Sequence, residues 1–172
     1  IRLSLVGSEM CIRDSCLYIT GEESLSQVAM RADRLKLPKE KLRLAAETDV
    51  EQILELARKE MPRVLVVDSI QVMFLAALQS APGSVAQVRE CAAALTRFAK
   101  QTGTVLLLVG HVTKDGTLAG PKVLEHMIDC SLMLEGSTDS RFRTLRGLKN
   151  RFGAVNELSL IHISEPTRLR RI

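Results

Sequence analysis

The stretch RVLVVDS, at residues 63–69, decides the fold class of this 172-residue chain. Four consecutive apolar residues end abruptly in a carboxylate and a hydroxyl. Such a short, β-branched run is typical of a strand that is buried on both faces of a parallel sheet. Ligands of open α/β sheets bind at the carboxyl ends of these strands, where a carboxylate can hold a hydrated Mg²⁺ against a nucleotide phosphate. Asp68 and Ser69 are therefore candidate nucleotide-site residues, although a core strand can also simply end at a loop aspartate.

Strand and helix patterns alternate around this stretch. Three more short apolar runs are separated by segments of helical length, which predicts an α/β fold with a mostly parallel sheet and helices on both faces. Two further runs flank a Gly-Ser-Thr-Asp turn and predict an antiparallel strand pair toward the C-terminal end. The predicted strands are residues 17–20, 42–46, 63–69, 104–109, 131–134 and 143–149.

Capping residues indicate where the intervening helices begin and end. Ser24 precedes apolar residues at helical spacing and is a typical N-cap. Gly103 follows the longest helical pattern, where a left-handed residue is expected to end the helix. Two other helix starts match a capping box, in which two side chains satisfy the first free N–H groups reciprocally. These boxes are Thr48 with Glu51 and Ser84 with Gln87.

The two ends of the chain differ in character from the middle. Residues 1–15 and 159–172 show no helical or strand period that continues into the neighbouring segment, and both resemble translated sequencing-adapter DNA. We therefore expect non-native flanks at 1–15 and 159–172 around a partial domain at 16–158. Without the flanks, the excess of basic over acidic residues falls from four to two, which is too small to predict nucleic-acid binding by itself.

Cysteine spacing and hydropathy indicate the cellular compartment in which the protein is expected. Cys16, Cys91 and Cys130 are far apart in sequence and form no Cys-x-x-Cys, which favours reduced thiols over a disulfide framework or a zinc site. The segment Ile1–Val6 is too short and too polar to be a signal peptide or a membrane span. We expect a cytoplasmic protein without a membrane partner.

Charged residues follow three other predicted strands. Glu22 or Glu23 could polarise a water that attacks a γ-phosphate, although acids in a first helical turn also favour the helix dipole. His111 could sense a phosphate, or it could be a solvated loop residue. Lys149 and Arg151 share one face of the last strand and could reach a phosphate on a neighbouring subunit, as an arginine finger does, or form a solvated basic edge.

The phosphate-binding pattern G-x-x-x-x-G-K-[ST] does not occur in the 172 residues. Such a loop would precede the strand before Glu22 by one helix, so we expect the chain to begin after it. A chain without this loop and its lysine is not expected to hydrolyse ATP alone.

Four segments together resemble the bacterial DNA-repair members of the RecA-like ATPase superfamily. The resemblance covers about residues 16–158 and implies a RecA-like P-loop NTPase core, cut before its Walker A loop. The family's four-Cys zinc motif and Lon-protease-like domain would lie outside this chain, so zinc is not expected in it. The segments are YITGEESLSQVAMRADRL at 18–35, VLVVDSIQ at 64–71, GHVTKDGTLAGPKVLEHMID at 110–129 and LKNRFGAVNEL at 148–158.

The resemblance implies roles for the candidate residues at the nucleotide. Asp68 would be the Walker B acid that holds Mg²⁺ through water, with Ser69 beside it at the bound ATP. Glu22 would be the activating carboxylate, with Glu23 as the second candidate. His111 would occupy the sensor position at the end of the fourth strand.

The resemblance also implies contacts with macromolecules. Residues 112–122 match a DNA-facing loop in which Lys114 and Lys122 would contact phosphates. Lys149 and Arg151 match the cations of LKNRFG, which act across a subunit boundary in a homo-hexameric ring. The partners would be single-stranded DNA and a recombinase filament or other recombination intermediates.

The implied activity is DNA-dependent ATP hydrolysis that drives branch migration of recombination intermediates in DNA repair and homologous recombination. One alternative is a nucleotide-responsive structural or signalling ATPase of the same superfamily, resembling the clock protein KaiC, which would not translocate on DNA and would lack LKNRFG. Another is a non-catalytic DNA-binding scaffold, which would tolerate loss of Glu22.

Overall fold

The computed structural model describes residues 15–37, 42–111, 123–136, 142–155 and 158–162. The chain divides into two units, Ile1–Met127 and Ile128–Ile172. The elements of the first unit are β1 Cys16–Thr20, α1 Leu25–Arg34, β2 Leu42–Ala46, α2 Val50–Glu60, β3 Val64–Asp68, a 3₁₀ turn at Ile70–Val72, α3 Val85–Thr102, β4 Val105–Val109 and α4 Val123–Met127. No helix within the described residues is both long enough and apolar enough to cross a bilayer.

The strands of the first unit form one parallel sheet in the order β2-β1-β3-β4. The strand–helix alternation in the sequence predicted this arrangement. Thr20 lies opposite Asp68, and Asp68 lies opposite Val109, so the carboxyl ends of β1, β3 and β4 are level with one another. Residues that follow these three strands are thereby brought to one edge of the sheet.

Alternate residues of β1 and β3 build the hydrophobic core together with α2 and α3. Full burial of a leucine, isoleucine or valine side chain stabilises the fold by about 1.5–3 kcal/mol, which fixes the register of these strands. The strand residues of the core, each at most 1% exposed, are Leu17, Ile19, Leu65 and Val67, and their partners on the helices include Ile53 and Leu95.

Helices cover both faces of the sheet, as predicted, but not evenly. The crossovers through α1 and α2 run in opposite directions along the sheet, and right-handed crossovers then place these helices on opposite faces. The apolar run at β4 predicted a strand buried on both sides, and this is wrong for one face. Val105, Leu107 and Val109 are 37–42% exposed, because β4 is the edge strand of the described sheet and α1 lies over the opposite edge.

The predicted helix starts are correct at Ser24 and shifted at the next helix. Ser24 accepts a hydrogen bond from the backbone N–H of Gln27, whose side chain returns to the Ser24 N–H. The capping box at Thr48 is wrong, since Asp49 caps α2 by accepting from the Glu51 N–H at 2.9 Å. The carbonyl of Thr48 instead accepts from the Phe74 N–H, which ties it to another segment.

The capping box at α3 is half correct. Ser84 accepts from the backbone N–H of Gln87, but the Gln87 side chain does not return to Ser84. It is 1% exposed, accepts from the Leu75 N–H at 2.9 Å and donates to the Ser80 carbonyl at 2.9 Å. The buried amide thus organises the irregular segment before α3. Gly103 ends the helix in the left-handed region with φ 73°, as predicted.

The second unit is an antiparallel sheet of β5 Cys130–Glu135, β6 Phe142–Asn150 and β7 Leu158–His162, in the order β5-β6-β7. The pairing of β5 with β6 confirms the predicted antiparallel pair. Strand β7 was not predicted. It pairs with β6, although all but its first residue lie in the segment 159–172 that the sequence predicted to be a non-native flank. An isolated five-residue segment carries little pattern of its own, whereas the exposed edge of β6 supplies a template of backbone partners.

Candidate active site at the strand ends

Backbone contacts fix the turn after β1 against the end of β3. The Gly21 N–H donates to the carbonyl of Asp68 at 2.8 Å. A Cβ at Gly21 would collide with the side chains of Val72 and Met73, so a larger residue here would force these neighbours to shift. The hydroxyl of Thr20 accepts from the Glu23 N–H at 3.0 Å and shapes the same turn. The position of the two glutamates that follow β1 is therefore fixed by the sheet.

Glu22 is held by residues that follow β3 and β4, the next two strands of the sheet on one side of β1. The hydroxyl of Ser69, which is fully buried, donates to Oε1 of Glu22. The ring nitrogen Nε2 of His111 lies 2.9 Å from Oε1 and 3.1 Å from Oε2. The Ser69 hydrogen bond, and after it that of His111, lowers the pKa of the Glu22 carboxyl. The lowered pKa favours the ionised carboxylate.

Glu23 points to a different partner. Its Oε1 accepts from Nη2 of Arg31 on α1 at 2.5 Å. This ion pair ties the Glu23 carboxylate to the helix that follows β1, and no described contact joins that carboxylate to a residue after β3 or β4. Of the two adjacent glutamates, the geometry favours Glu22 as the residue that could orient a water.

Asp68 is half-buried, and one of its carboxylate oxygens has a defined partner. The hydroxyl of Tyr18 donates to Oδ2 of Asp68. Burial, together with this carboxylate, raises the pKa of the Tyr18 phenol, so that it remains a donor. Among the described residues no donor contacts Oδ1. Mg²⁺ bound to a nucleotide is typically held by one or two carboxylates besides water and phosphate oxygens, and the Asp68 carboxylate can be one of these.

The sequence-predicted residues thus converge in the first unit. Asp68, Ser69, Glu22 and His111 meet at one edge of the sheet, although no group of three or more metal-ligating side chains occurs among the described residues. The carbonyl of His111 also lies 3.4 Å from Nε2 of Gln71. The predicted DNA-contacting residues, Lys114 and Lys122, lie outside the described residues.

Lys149 and Arg151 lie in the second unit and both contact the segment before β5. The Lys149 ammonium donates to the Ile128 carbonyl at 2.8 Å. Arg151 donates to the Asp129 carboxylate through Nη1 at 2.9 Å and to the Asp129 carbonyl through its backbone N–H at 2.9 Å. Strand β6 ends at Asn150, so the prediction that the two cations share a strand face is wrong for Arg151. They nevertheless converge on neighbouring residues.

Sequence reasoning missed two partners in these sites. Tyr18 shares a strand face with Thr20, but its contact with Asp68 depends on the register of β1 and β3. Asp129 is separated from Arg151 by 22 positions and meets it only because β5 and β6 pair. The alternation of β1 could have indicated the first of these, whereas no local signal marks the second.

Comparison with known proteins places this geometry in a family. The AAA domain family matches residues 5–117. The chain is 66% identical over 151 residues to the DNA repair protein RadA of Haemophilus influenzae, covering 88% of this chain and 33% of the relative. The RadA proteins of Escherichia coli and Bacillus subtilis are 65% and 48% identical over 149 and 152 residues, which are 87% and 88% of this chain and 32% and 33% of each relative.

The chain spans about a third of the length of these curated relatives. The family match includes β1 to β4 and the strand-end residues Glu22, Asp68, Ser69 and His111. The similarity to RadA and the four-stranded parallel sheet agree with the resemblance drawn from the sequence motifs. The chain therefore belongs to the AAA domain family and has its RecA-like α/β fold.

Proposed function

We propose that this chain is part of a bacterial DNA repair ATPase that uses ATP hydrolysis to drive branch migration of recombination intermediates on single-stranded DNA. The observation that carries the proposal is the position of Glu22 between Ser69 and His111, beside Asp68. A carboxylate that can orient water and a second carboxylate that can hold Mg²⁺, at adjacent strand ends, are two elements that phosphoryl transfer to water uses.

Each strand-end residue then has a distinct task. Asp68 would hold Mg²⁺ through water, and the ion would neutralise charge on the β- and γ-phosphates. Glu22 would orient the attacking water and accept its proton, a contribution worth typically about 10²–10⁴ in rate. Ser69 would keep Glu22 in position, and His111 would report the state of the nucleotide to the following residues.

The remaining candidates would act on partners. Lys149 and Arg151 would reach the nucleotide of a neighbouring subunit in a homo-hexamer, and Lys114 and Lys122 would contact phosphates of single-stranded DNA. The relatives are named DNA repair proteins, and LKNRFG is present at residues 148–153. Both observations support a DNA-linked motor over a nucleotide-responsive structural or signalling ATPase.

The test uses the full-length protein, because the chain itself lacks a G-x-x-x-x-G-K-[ST] loop. ATP hydrolysis is measured with and without single-stranded DNA, and branch migration is measured on a synthetic three-strand junction. We expect DNA to stimulate hydrolysis and migration to require it. An ATP hydrolysis rate that is the same with and without DNA, together with no branch migration, would favour the signalling alternative. Absence of hydrolysis under all conditions would overturn the enzymatic proposal.

A further inference from the structure

Tyr18 is the one tyrosine of the chain, and it lies on the sheet face that carries Asp68. In the register of β1 with β3, Tyr18 is opposite Val66, so the Asp68 side chain is its diagonal neighbour toward the strand ends. This diagonal spacing is within reach of a long aromatic side chain. The phenol spans it and donates to Oδ2 of Asp68.

The contact constrains the carboxylate in a way that a merely space-filling tyrosine would not. A hydrogen bond to one carboxylate oxygen limits rotation about the last side-chain bond and orients the second oxygen. Oδ1 of Asp68 is the oxygen that no donor contacts among the described residues. Groups that hydrogen-bond a metal-holding carboxylate commonly tune its affinity for the ion.

We propose that Tyr18 is a positioning residue for Asp68, holding one carboxylate oxygen so that the other faces the Mg²⁺ of the bound nucleotide. This inference rests on the proposed function, because it assigns Asp68 to the metal. It adds a residue that lies inside β1, four positions before Glu22, and that would act on the metal only through Asp68.

The test is Tyr18→Phe in the full-length protein, which removes one hydroxyl and keeps the ring. Binding of a fluorescent ADP analogue is titrated with Mg²⁺, and hydrolysis is measured at limiting and saturating Mg²⁺. Loss of such a supporting hydrogen bond typically costs about 10–100-fold in metal affinity. We expect the half-saturating Mg²⁺ concentration to rise about tenfold, with hydrolysis largely restored at saturating Mg²⁺.

A matched control separates positioning from general stability. Thr104 donates a buried hydroxyl hydrogen bond to the Pro62 carbonyl at 3.0 Å, at the opposite end of the sheet. Thr104→Val removes a comparable bond away from the site, so we expect a lower unfolding temperature and an unchanged Mg²⁺ dependence. A Tyr18→Phe protein that unfolds, or one that loses stability with normal Mg²⁺ dependence, would overturn the inference in favour of a structural role.

Asp68→Asn distinguishes failure of this inference from failure of the proposed function. If Asp68→Asn abolishes the Mg²⁺ dependence while Tyr18→Phe behaves like wild type, only the role of Tyr18 is refuted. If Asp68→Asn leaves Mg²⁺ dependence unchanged, the metal assignment in the proposed function is refuted as well. In the double variant, Tyr18→Phe should add no further effect, because the group that it positions has been replaced.

Discussion

The strand-end site of the first unit and the turn after β6 in the second unit hold their charged residues in different ways. Glu22 has donors from two other strand ends, and one of them, Ser69, is fully buried. Arg151 and Asp129 form an ion pair whose side chains are 48% and 43% exposed. Exposed pairs of this kind contribute about 0–1 kcal/mol. The sheet therefore fixes Glu22, whereas the side-chain contact of Arg151 can be exchanged at small cost.

This difference matches the tasks proposed for the two regions. A residue that orients water gains from a position set in advance, because no reorganisation is then needed during the reaction. A side chain that reaches a neighbouring subunit must first break its contacts within its own subunit. A weak, local contact satisfies that requirement and keeps the guanidinium ordered until the partner arrives.

The largest effect is expected for Arg151→Ala in the full-length protein, because a cation of this type acting on the transferred phosphate is worth about 10³–10⁵ in turnover. Action in trans predicts partial rescue when Arg151→Ala subunits are mixed with Glu22→Gln subunits, since some interfaces of the mixed ring are intact. Arg151→Lys should not substitute well, because an ammonium lacks the planar fork. Mixed rings that assemble normally but remain inactive would contradict action across a subunit boundary.

Glu22→Gln is expected to lower hydrolysis about 10²–10⁴-fold while nucleotide binding is retained, because the side chain acts on water. Glu23→Gln is the matched control, since Glu23 is adjacent in sequence but paired with Arg31. We expect Glu23→Gln to change turnover by less than about tenfold, in line with the small energy of an exposed ion pair. Single-turnover hydrolysis and fluorescent nucleotide binding measure both quantities. A larger loss for Glu23→Gln would move the activating role to Glu23.

The elements around these sites could be predicted from the sequence because their signals are local. The apolar run that stops at Asp68 predicted a strand end, and Gly103 predicted a helix end; the structure agrees with both. The alternation of strands and helices predicted a parallel sheet, which places the residues after β1, β3 and β4 at one edge.

The pairings within the sites could not be predicted, because they depend on register and on competition for partners. Gln87 matched a capping box, but its side-chain amide is buried, and a buried amide is destabilising unless it is hydrogen-bonded. It therefore donates to the carbonyls of Leu75 and Ser80 in the preceding segment. Ser69 was assigned to the nucleotide, and the structure gives its hydroxyl a contact with Glu22. Nothing in the sequence distinguishes Tyr18 from an ordinary core residue of a strand, because its contact with Asp68 depends on strand register.

A smaller effect, on pH dependence, is expected for Ser69→Ala. The Ser69 hydroxyl favours the ionised form of Glu22 and is the largest cause of its lowered pKa, so its removal should raise that pKa toward the ordinary value of 4.5. Activity that needs the carboxylate is lost as the pH falls through this pKa, so the acid limb of the rate profile should move to higher pH. Ser80→Ala is the control, because Ser80 Oγ has no hydrogen-bond partner among the described residues. An unmoved acid limb would show that Ser69 does not tune Glu22.

The smallest effect is expected for Asp129→Asn, which tests whether the ion pair between Arg151 and Asp129 is weak enough to be broken at small cost. The substitution keeps the backbone hydrogen bond between the two residues and removes only the charge that the guanidinium faces. Because the pair is about half exposed, the free energy of unfolding should fall by less than about 1 kcal/mol, and salt should reduce the difference further. Denaturant unfolding at low and high salt measures this, with Glu135→Gln as control, since its pair with Arg146 is also exposed and lies within the same sheet. A loss well above that of the control would show that Asp129 anchors the turn, and Arg151 would then be a structural residue instead of one that moves to a neighbouring subunit.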